Sequence, residues 1–290
     1  MIWNDQGLDY LRLEKELALQ HVYQDSLKEI REKLRRIEGK TYSEAVKFHR
    51  LEKLEKDLTH ELQKMGQKVK TITRKGIKDT FAESYHLTGY AVENHTGINL
   101  GFTQLPVETI EKAIEDPYDW IKRTGNHGRI LKQRLKDTIV RGLIQGYGYK
   151  KLSKSLAKSM GQGLGESTRL LRTEMHRAQV KGRLMAIDKT EAACEKMGVK
   201  TERSWRSAYD DRTRSSHVEM GGVLANKKTK LFTLPSGAKT EGPGLSGIGS
   251  EDINCRCTIR VLFPDFEPDI DESLAMEKGQ GFSCLMKNHE

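Results

Sequence analysis

Apolar side chains recur at helical spacing from Leu8 to about Gly198, and this periodicity restricts the fold more than any other feature of the chain. In the first stretch, Leu8 to Glu38, the apolar positions alternate four and three residues apart, as in the seam of a coiled coil: Tyr23, Leu27, Ile30, Leu34 and Ile37. A capping-box sequence at Thr41–Glu44 then predicts the start of a second helix. Its apolar stripe runs from Leu51 to Ile72 and resumes through Leu87, so we expect an antiparallel hairpin of two helices.

Further helical stretches follow this hairpin. Val107 to Glu115 predicts a short helix, with Pro106 at or near its first position. A base-rich helix carries apolar residues from Ile130 to Ile144, and a short basic helix opens at Lys150. The glycines between Gly161 and Gly165 predict a turn, and a last helix from about Glu166 to Lys196 follows it.

After Gly198 the pattern changes to that of short strands. β-Branched and aromatic residues predict strands at Val199–Ala208 and Thr258–Phe263, with Leu231–Leu234 as a third candidate. The fold class is therefore mainly α, with an elongated N-terminal helical region and a small C-terminal α+β module. We expect the helical region to cover residues 1–160, the module 161–264, and an acidic, flexible tail 265–290.

The composition agrees with long solvated helices and indicates an acidic partner. Charged residues make up 31% of the 290 residues and hydrophobic residues only 36%, which fits helices with narrow apolar stripes. The net charge of +9 favours nucleic acid as a partner, although solubility alone would also account for it. Two basic stretches are candidate DNA-phosphate contacts, with solvated helix faces as the alternative: Lys68, Lys70, Arg74, Lys75 and Lys78, and Lys150, Lys151 and Lys154.

Neither a membrane span nor a secretory signal is expected. No apolar run approaches the roughly 20 residues that cross a bilayer, and acidic and polar residues follow Met1–Asn4 at once. The four cysteines include two that are one residue apart, which is a poor disulfide framework for a chain of this length. These features predict that the chain is made in a reducing cytoplasm.

Cys255 and Cys257 form the pair with the clearest potential for metal binding. In an extended segment their side chains point to the same face. With His217 they would give three ligands of the type that zinc prefers, and Asp211 or His176 could supply a fourth. The alternative is two small buried hydrophobic side chains, because cysteines in structural zinc sites are usually spaced more widely.

Asp210 and Asp211 follow a predicted strand and precede a short helix that ends near Glu219. We expect Asp211 to cap that helix, since adjacent residues on a turn rarely point at one substrate atom. The glycines from Gly237 to Gly249 resemble a phosphate-binding loop only superficially, because no Gly-Lys-Ser/Thr sequence ends them. A flexible hairpin loop is the default interpretation there.

The sequence Arg172-Thr173-Glu174-Met175-His176-Arg177 lies within the last predicted helix. Glu174 and Arg177 are three positions apart, so a surface ion pair is expected. Arg172 and His176 share a face and could meet the Asp210–Asp211 pair of the module. We therefore predict an ion network between helix and module rather than a catalytic role for Glu174.

The order and spacing of these C-terminal motifs resemble the phage head morphogenesis family, the Mu F-like minor head proteins of tailed bacteriophages. The resemblance rests on Arg172, Thr173, Glu174, Trp205, Asp210, Asp211, Arg212, Thr213, Arg214, His217, Gly221 or Gly222, Asn254, Cys255, Arg256 and Cys257. In one respect the chain departs from the family. Where members often have a His-Pro before Asn-Cys-Arg-Cys, this chain has Gly249–Ile253, and one candidate metal ligand is thereby lost.

The resemblance implies a minor head protein with no enzymatic activity and no catalytic residues. It implies association with the portal protein, and with major capsid or scaffold protein, during assembly in the host cytoplasm and then in the capsid. It also implies contact with packaged double-stranded DNA and a role in its delivery. The helical region would then dock on partners.

Two rival functions stay open from the residues alone. One is an enzyme module, nuclease or transferase toxin-like, built on Asp211, His217 and Glu174. The other is a basic helical nucleic-acid-binding protein with a metal-stabilised module.

Overall fold

The structure is a computed structural model that describes residues 6–35, 48–115, 120–145, 147 and 149–264. The predicted capping box at Thr41–Glu44 and the predicted flexible tail, residues 265–290, lie outside the described residues.

Long helices make up most of the described chain, as the periodicity predicts. They are α1 (Gln6–Arg35), α2 (Phe48–Thr96), α3 (Val107–Glu115), α4 (Trp120–Ile144) and α5 (Tyr149–Lys196). At 1.5 Å per residue, the 49 residues of α2 and the 48 of α5 each span about 70 Å, so the helical region is elongated. Among the described residues, no helix combines the length and the apolar character needed to cross a membrane.

The helices α1, α2, α4 and α5 pack side by side as a bundle. The predicted α1–α2 hairpin is confirmed, because Lys15 Nζ lies 3.2 Å from Asp79 Oδ2 and Lys33 Nζ donates to the Asp57 carbonyl at 3.4 Å. As the numbering rises along α1 it falls along α2, so the two helices are antiparallel. The bundle core draws on all four helices, with Leu19, Ile30, Leu58, Met65, Leu131, Leu135, Leu156 and Leu171 among its buried side chains.

Glycine lets α2 and α5 approach to backbone contact. A Cβ added at Gly182 of α5 would lie 2.3 Å from the carbonyl oxygen of Phe81 in α2, far inside van der Waals contact. Close by, Ser84 Oγ donates to the Gln179 carbonyl at 2.7 Å. The crossing at Gly182 therefore fixes how closely the two longest helices pack.

The turn predicted at Gly161–Gly165 is wrong, because α5 is continuous through these residues. Gly163 faces the neighbouring helices, and a Cβ there would lie 2.9 Å from Leu131 Cδ2 and 3.2 Å from Tyr23 Cε1. The glycine thus makes room for side chains of α4 and α1 rather than breaking the helix. The predicted boundary between residues 160 and 161 accordingly falls inside one helix.

Two short antiparallel sheets follow α5. β1 (Glu202–Arg206) pairs with β4 (Thr258–Leu262), with Glu202 opposite Leu262 and Arg206 opposite Thr258. β2 (Phe232–Thr233) pairs with β3 (Lys239–Thr240). The three predicted strands are confirmed. β3 was not predicted, because it lies in the glycine-rich stretch that the sequence predicted to be a loop.

The α+β unit, residues 199–264, shares its core with the long helices. Trp205 of β1 is buried and packs edge-on against Phe232 of β2, with ring centroids 5.5 Å apart. The same apolar cluster includes side chains from α2 and α5: Val92, Val180, Leu184, Ile187 and Cys194. The unit is thus built onto α5 instead of being joined to it by a linker.

The glycine-rich segment is packed against this core. A Cβ at Gly242 would lie 2.4 Å from Ile259 Cδ1, and Gly244 has a positive φ of 76°. A short helix, α7 (Gly249–Asp252), ends the segment, and another, α6 (Ser215–Glu219), precedes β2. The segment from Gly242 to Asp252 therefore packs against the core and ends in a helix, and is not the flexible hairpin loop that the sequence predicted.

Candidate metal centre

The α+β unit brings His217, Cys255 and Cys257 together. His217 lies on α6, whereas the two cysteines lie between α7 and β4. The chain reaches this position through Asn254, whose φ is 58°, and through the Cys255 N–H, which donates to the Asp252 carbonyl at 3.2 Å. All three side chains are buried, and the Trp205 ring covers the imidazole edge-on at 5.6 Å between centroids.

The ligand-type atoms of the three residues converge. His217 Nδ1 lies 3.5 Å from Cys255 Sγ and 3.6 Å from Cys257 Sγ, and all three atoms lie within 4.8 Å of one another. The other ring nitrogen, Nε2, lies 2.9 Å from Glu251 Oε2. The imidazole is therefore held by a carboxylate on one side and directed at two sulfurs on the other.

Hydrogen bonds within the cluster shift the pKa values of Cys257 and His217 in opposite directions. A hydrogen bond from the Cys255 thiol, supported by one from His217, lowers the pKa of Cys257 against the effect of burial. The hydrogen bond to Cys257 raises the pKa of His217. Burial leaves the sulfurs inaccessible to a substrate, so this donor set suits metal binding better than nucleophilic catalysis.

Neither predicted fourth ligand joins the cluster. The side chain of Asp211 is 91% exposed to solvent. The His176 ring lies against Gly244, where an added Cβ would lie 2.8 Å from His176 Cδ2, and burial lowers its pKa to about 4. His217, Cys255 and Cys257 are the residues that could hold a metal among those the structure describes.

Asp210, not Asp211, organises the turn before α6. Its Oδ1 accepts hydrogen bonds from the Arg212 N–H at 3.0 Å and from Thr213 Oγ1 at 2.9 Å, and it pairs with Arg256. The predicted N-cap at Asp211 is wrong, because Arg214 occupies the N-cap position of α6. By accepting from the Arg212 N–H, the Asp210 side chain forms an Asx turn.

A buried ion network connects α5 to the glycine-rich segment. Arg177 is buried and donates to Glu174 Oε1 at 2.7 Å, to Asp252 Oδ2 at 3.1 Å and to the Gly244 carbonyl at 3.0 Å. Asp252 also accepts from the Ser246 N–H at 3.0 Å and from the Gly247 N–H at 2.9 Å. Burial raises the pKa of Glu174, so its carboxylate depends on the arginine for charge compensation.

The predicted helix-to-module network exists, but with different partners. Arg172 forms a bidentate pair with Glu16 of α1, with both N–O distances 2.6 Å, and does not reach the aspartates of the turn. The predicted surface pair of Glu174 and Arg177 is present but buried. The remaining motif residues have local roles: Thr173 Oγ1 donates to the Arg169 carbonyl, and Arg214 donates to the carbonyls of Glu251 and Ile253.

The residues described above fall within a region that matches a known protein family. Residues 133–260, which include α5 and the whole cluster, match the family described as Phage Mu protein F like protein. The similarity covers this part of the chain, here called the Mu F-like module. This Mu F-like module begins within α4, ahead of the start predicted at residue 161.

Two relatives extend the similarity beyond the Mu F-like module. The chain is 28% identical over 279 residues to Minor head protein GP7 of Bacillus phage SPP1, an alignment that covers 92% of this chain and 88% of GP7. It is 25% identical over 265 residues to NAD(+)–arginine ADP-ribosyltransferase EFV of Enterococcus faecalis, which covers 89% of this chain and 53% of EFV. This chain thus spans about half the length of EFV. No solved structure shows significant similarity to the chain.

The expectation that the chain carries no enzymatic activity is contradicted by this second relative. EFV is named as an enzyme, and its alignment covers 89% of this chain. Of the residues considered for an acid/base site, Asp211 is exposed, Glu174 is paired with Arg177, and His217 is paired with Glu251.

The two basic stretches of the helical region differ in how far they are neutralised. In α2, Arg74 and Lys78 both pair with Glu111 of α3, whereas Lys68 and Lys75 are exposed. At the start of α5, Lys150 and Lys154 are exposed, and Lys151 Nζ lies 3.4 Å from the centroid of the Tyr147 ring. The α5 stretch thus presents the less neutralised charge.

Proposed function

We propose that this chain acts as a minor head protein in the assembly of a phage head, in association with other capsid components. The observation that carries the proposal is the match to SPP1 GP7, which covers 92% of this chain and so includes the helices before the Mu F-like module. A match to the module alone would leave the bundle without a function. Similarity over both parts supports a shared role.

The exposed face of α1 supports docking on a partner, which we propose is the portal protein. Tyr10, Leu13 and Leu17 are 71%, 55% and 47% exposed, although a helix in a bundle usually directs such side chains inward. Their spacing of three and four residues places them on one face, here called the α1 stripe. A row of exposed apolar side chains on one helix is typical of an interface.

Charging the α1 stripe tests both the assembly role and the proposed partner. We expect Leu13→Asp with Leu17→Asp to weaken co-purification with the portal protein at least about tenfold, equivalent to about 1.4 kcal/mol, because a charge in the apolar centre of an interface must be desolvated. The protein content of purified particles, measured by quantitative mass spectrometry, should fall with it.

The matched control adds two charges elsewhere on the helical surface. Gln67→Asp with Gln162→Asp alters exposed positions of α2 and α5 and should leave both measurements unchanged. If the wild-type chain is missing from particles, and heads form normally without its gene, the assembly role is wrong. If particles retain the chain but the portal protein does not bind it, only the choice of partner is wrong.

We further propose that the exposed lysines at the start of α5 contact packaged DNA. Lys150, Lys154 and Lys158 are exposed and four residues apart, so they form a ridge with charges about 6 Å apart along the helix. Charges in a row at this separation are suited to successive phosphates of a nucleic-acid backbone.

The salt dependence of DNA binding distinguishes a contact made by this ridge from an effect of the chain's net charge alone. Changing Lys150, Lys154 and Lys158 to Gln should lower the slope of log K against log salt for double-stranded DNA by roughly 2.7, at about 0.9 for each phosphate contact. Fluorescence anisotropy over a salt series measures this slope. The control changes three scattered exposed lysines, Lys53, Lys112 and Lys228, to Gln. Equal losses in the two variants would show that only net charge matters and that the ridge is not a site.

A further inference from the structure

We propose that His217, Cys255 and Cys257 bind one zinc ion that holds the α+β unit together. The proposal rests on the geometry of the buried cluster and is independent of the assembly function. It assigns the three residues as direct ligands and Glu251 as the residue that orients the imidazole.

The distances within the cluster match those between the ligands of a tetrahedral zinc ion. Zn–N and Zn–S bonds of about 2.0 and 2.3 Å at a tetrahedral angle place nitrogen and sulfur about 3.5 Å apart. His217 Nδ1 lies 3.5 Å from Cys255 Sγ and 3.6 Å from Cys257 Sγ. Both nitrogen–sulfur edges therefore already have the required length.

The surroundings of the cluster orient the donor atoms. The Nε2 of a histidine that binds metal through Nδ1 usually donates to a carboxylate, and here Glu251 Oε2 lies 2.9 Å from it. The Trp205 ring, which packs edge-on against the imidazole with centroids 5.6 Å apart, also restrains its orientation.

The donor set selects zinc among the common metals. One imidazole and two thiolates suit a borderline-soft ion, whereas calcium and magnesium need oxygen ligands. With three protein ligands the fourth position of the tetrahedron takes a water molecule. Because the ligands come from α6 and from the segment before β4, 38 and 40 residues apart, the ion closes a long loop. It therefore acts as a cross-link that stabilises the unit.

Elemental analysis of the full chain, purified without a polyhistidine tag, tests the assignment. We expect about one zinc per chain in the wild type and less than about 0.1 in Cys257→Ser. The matched control is Cys194→Ser, which changes a buried cysteine of α5 outside the cluster and should retain its zinc. Zinc below about 0.1 per chain in the wild type, stoichiometric copper or iron instead, or equal loss in Cys194→Ser would overturn the proposal.

A second measurement on the wild type avoids dependence on the folding of a variant. After extraction with a chelator, zinc in excess should raise Tm by roughly 5 °C or more, since an ion that binds only the folded state stabilises it. Cobalt added in place of zinc should give the intense visible bands of tetrahedral coordination and a sulfur-to-cobalt charge-transfer band. An unchanged Tm together with only the weak spectrum of octahedral cobalt would refute the site.

Discussion

Arg177→Met is expected to destabilise the protein by about 3–5 kcal/mol, because it leaves two buried carboxylates without their shared counter-ion. Glu174 and Asp252 are only 3% and 1% exposed, and the Arg177 guanidinium pairs with both. Arg123 lies 3.5 Å from Glu174 and compensates only one of the two. The urea midpoint followed by far-ultraviolet circular dichroism measures the loss.

A neighbouring arginine provides the control for this prediction. Arg172→Met removes a bidentate pair with Glu16, but the Arg172 side chain is 52% exposed, so the expected cost is about 1 kcal/mol or less. Adding Glu174→Gln to Arg177→Met should recover part of the loss, since it removes one of the two buried negative charges that Arg177 pairs with. Similar destabilisation by Arg172→Met and Arg177→Met would show that burial of the network is not what stabilises it.

Gly182→Ala is expected to destabilise the protein by about 1–3 kcal/mol or more, because the new methyl group has no space at the crossing of α2 and α5. Its Cβ would lie 2.3 Å from the Phe81 carbonyl oxygen, and a backbone atom cannot rotate aside as a side chain can. The two helices would have to separate along their packed faces. Thermal and urea unfolding of the variant both report the change.

The same substitution elsewhere in α5 should have the opposite sign. Gly161 and Gly165 have nothing within 4 Å of an added Cβ, so alanine there should stabilise the helix by about 1 kcal/mol. Destabilisation at Gly161 would support the turn that the sequence predicted in place of the continuous helix. A neutral Gly182→Ala would mean that the helices do not meet at this point.

The helical region was predictable because its periodicity is long and local. The bounds of α3 agree with the prediction, and α2 includes the whole apolar stripe predicted from Leu51 through Leu87. Gly163 shows where this reasoning fails. From the sequence, a glycine that breaks a helix and one that admits a neighbouring side chain look the same, and only the positions of Leu131 and Tyr23 distinguish them.

The candidate site was predictable in part, for a similar reason. Cys255 and Cys257 share a face by local geometry alone, and His217 was predicted with them as a third ligand of the type that zinc prefers. The partners Glu251 and Asp252 were missed, because their contacts with His217 and Arg177 join positions 34 and 75 residues apart. The available signal was the acidic pair Glu251-Asp252, which Ile253 separates from the Asn-Cys-Arg-Cys sequence.

The first part of α5 contributes side chains to the bundle core, and its last part contributes to the core around Trp205. Gly198 is therefore not a boundary between two independent units. A gene exchange that cut there would strip the α+β unit of Val180, Leu184 and Ile187 and expose an apolar surface on both products. Recombination that transfers this module intact must carry at least residues 180–194 of α5 with it. The segment that must be inherited together is thus longer than the α+β unit, residues 199–264.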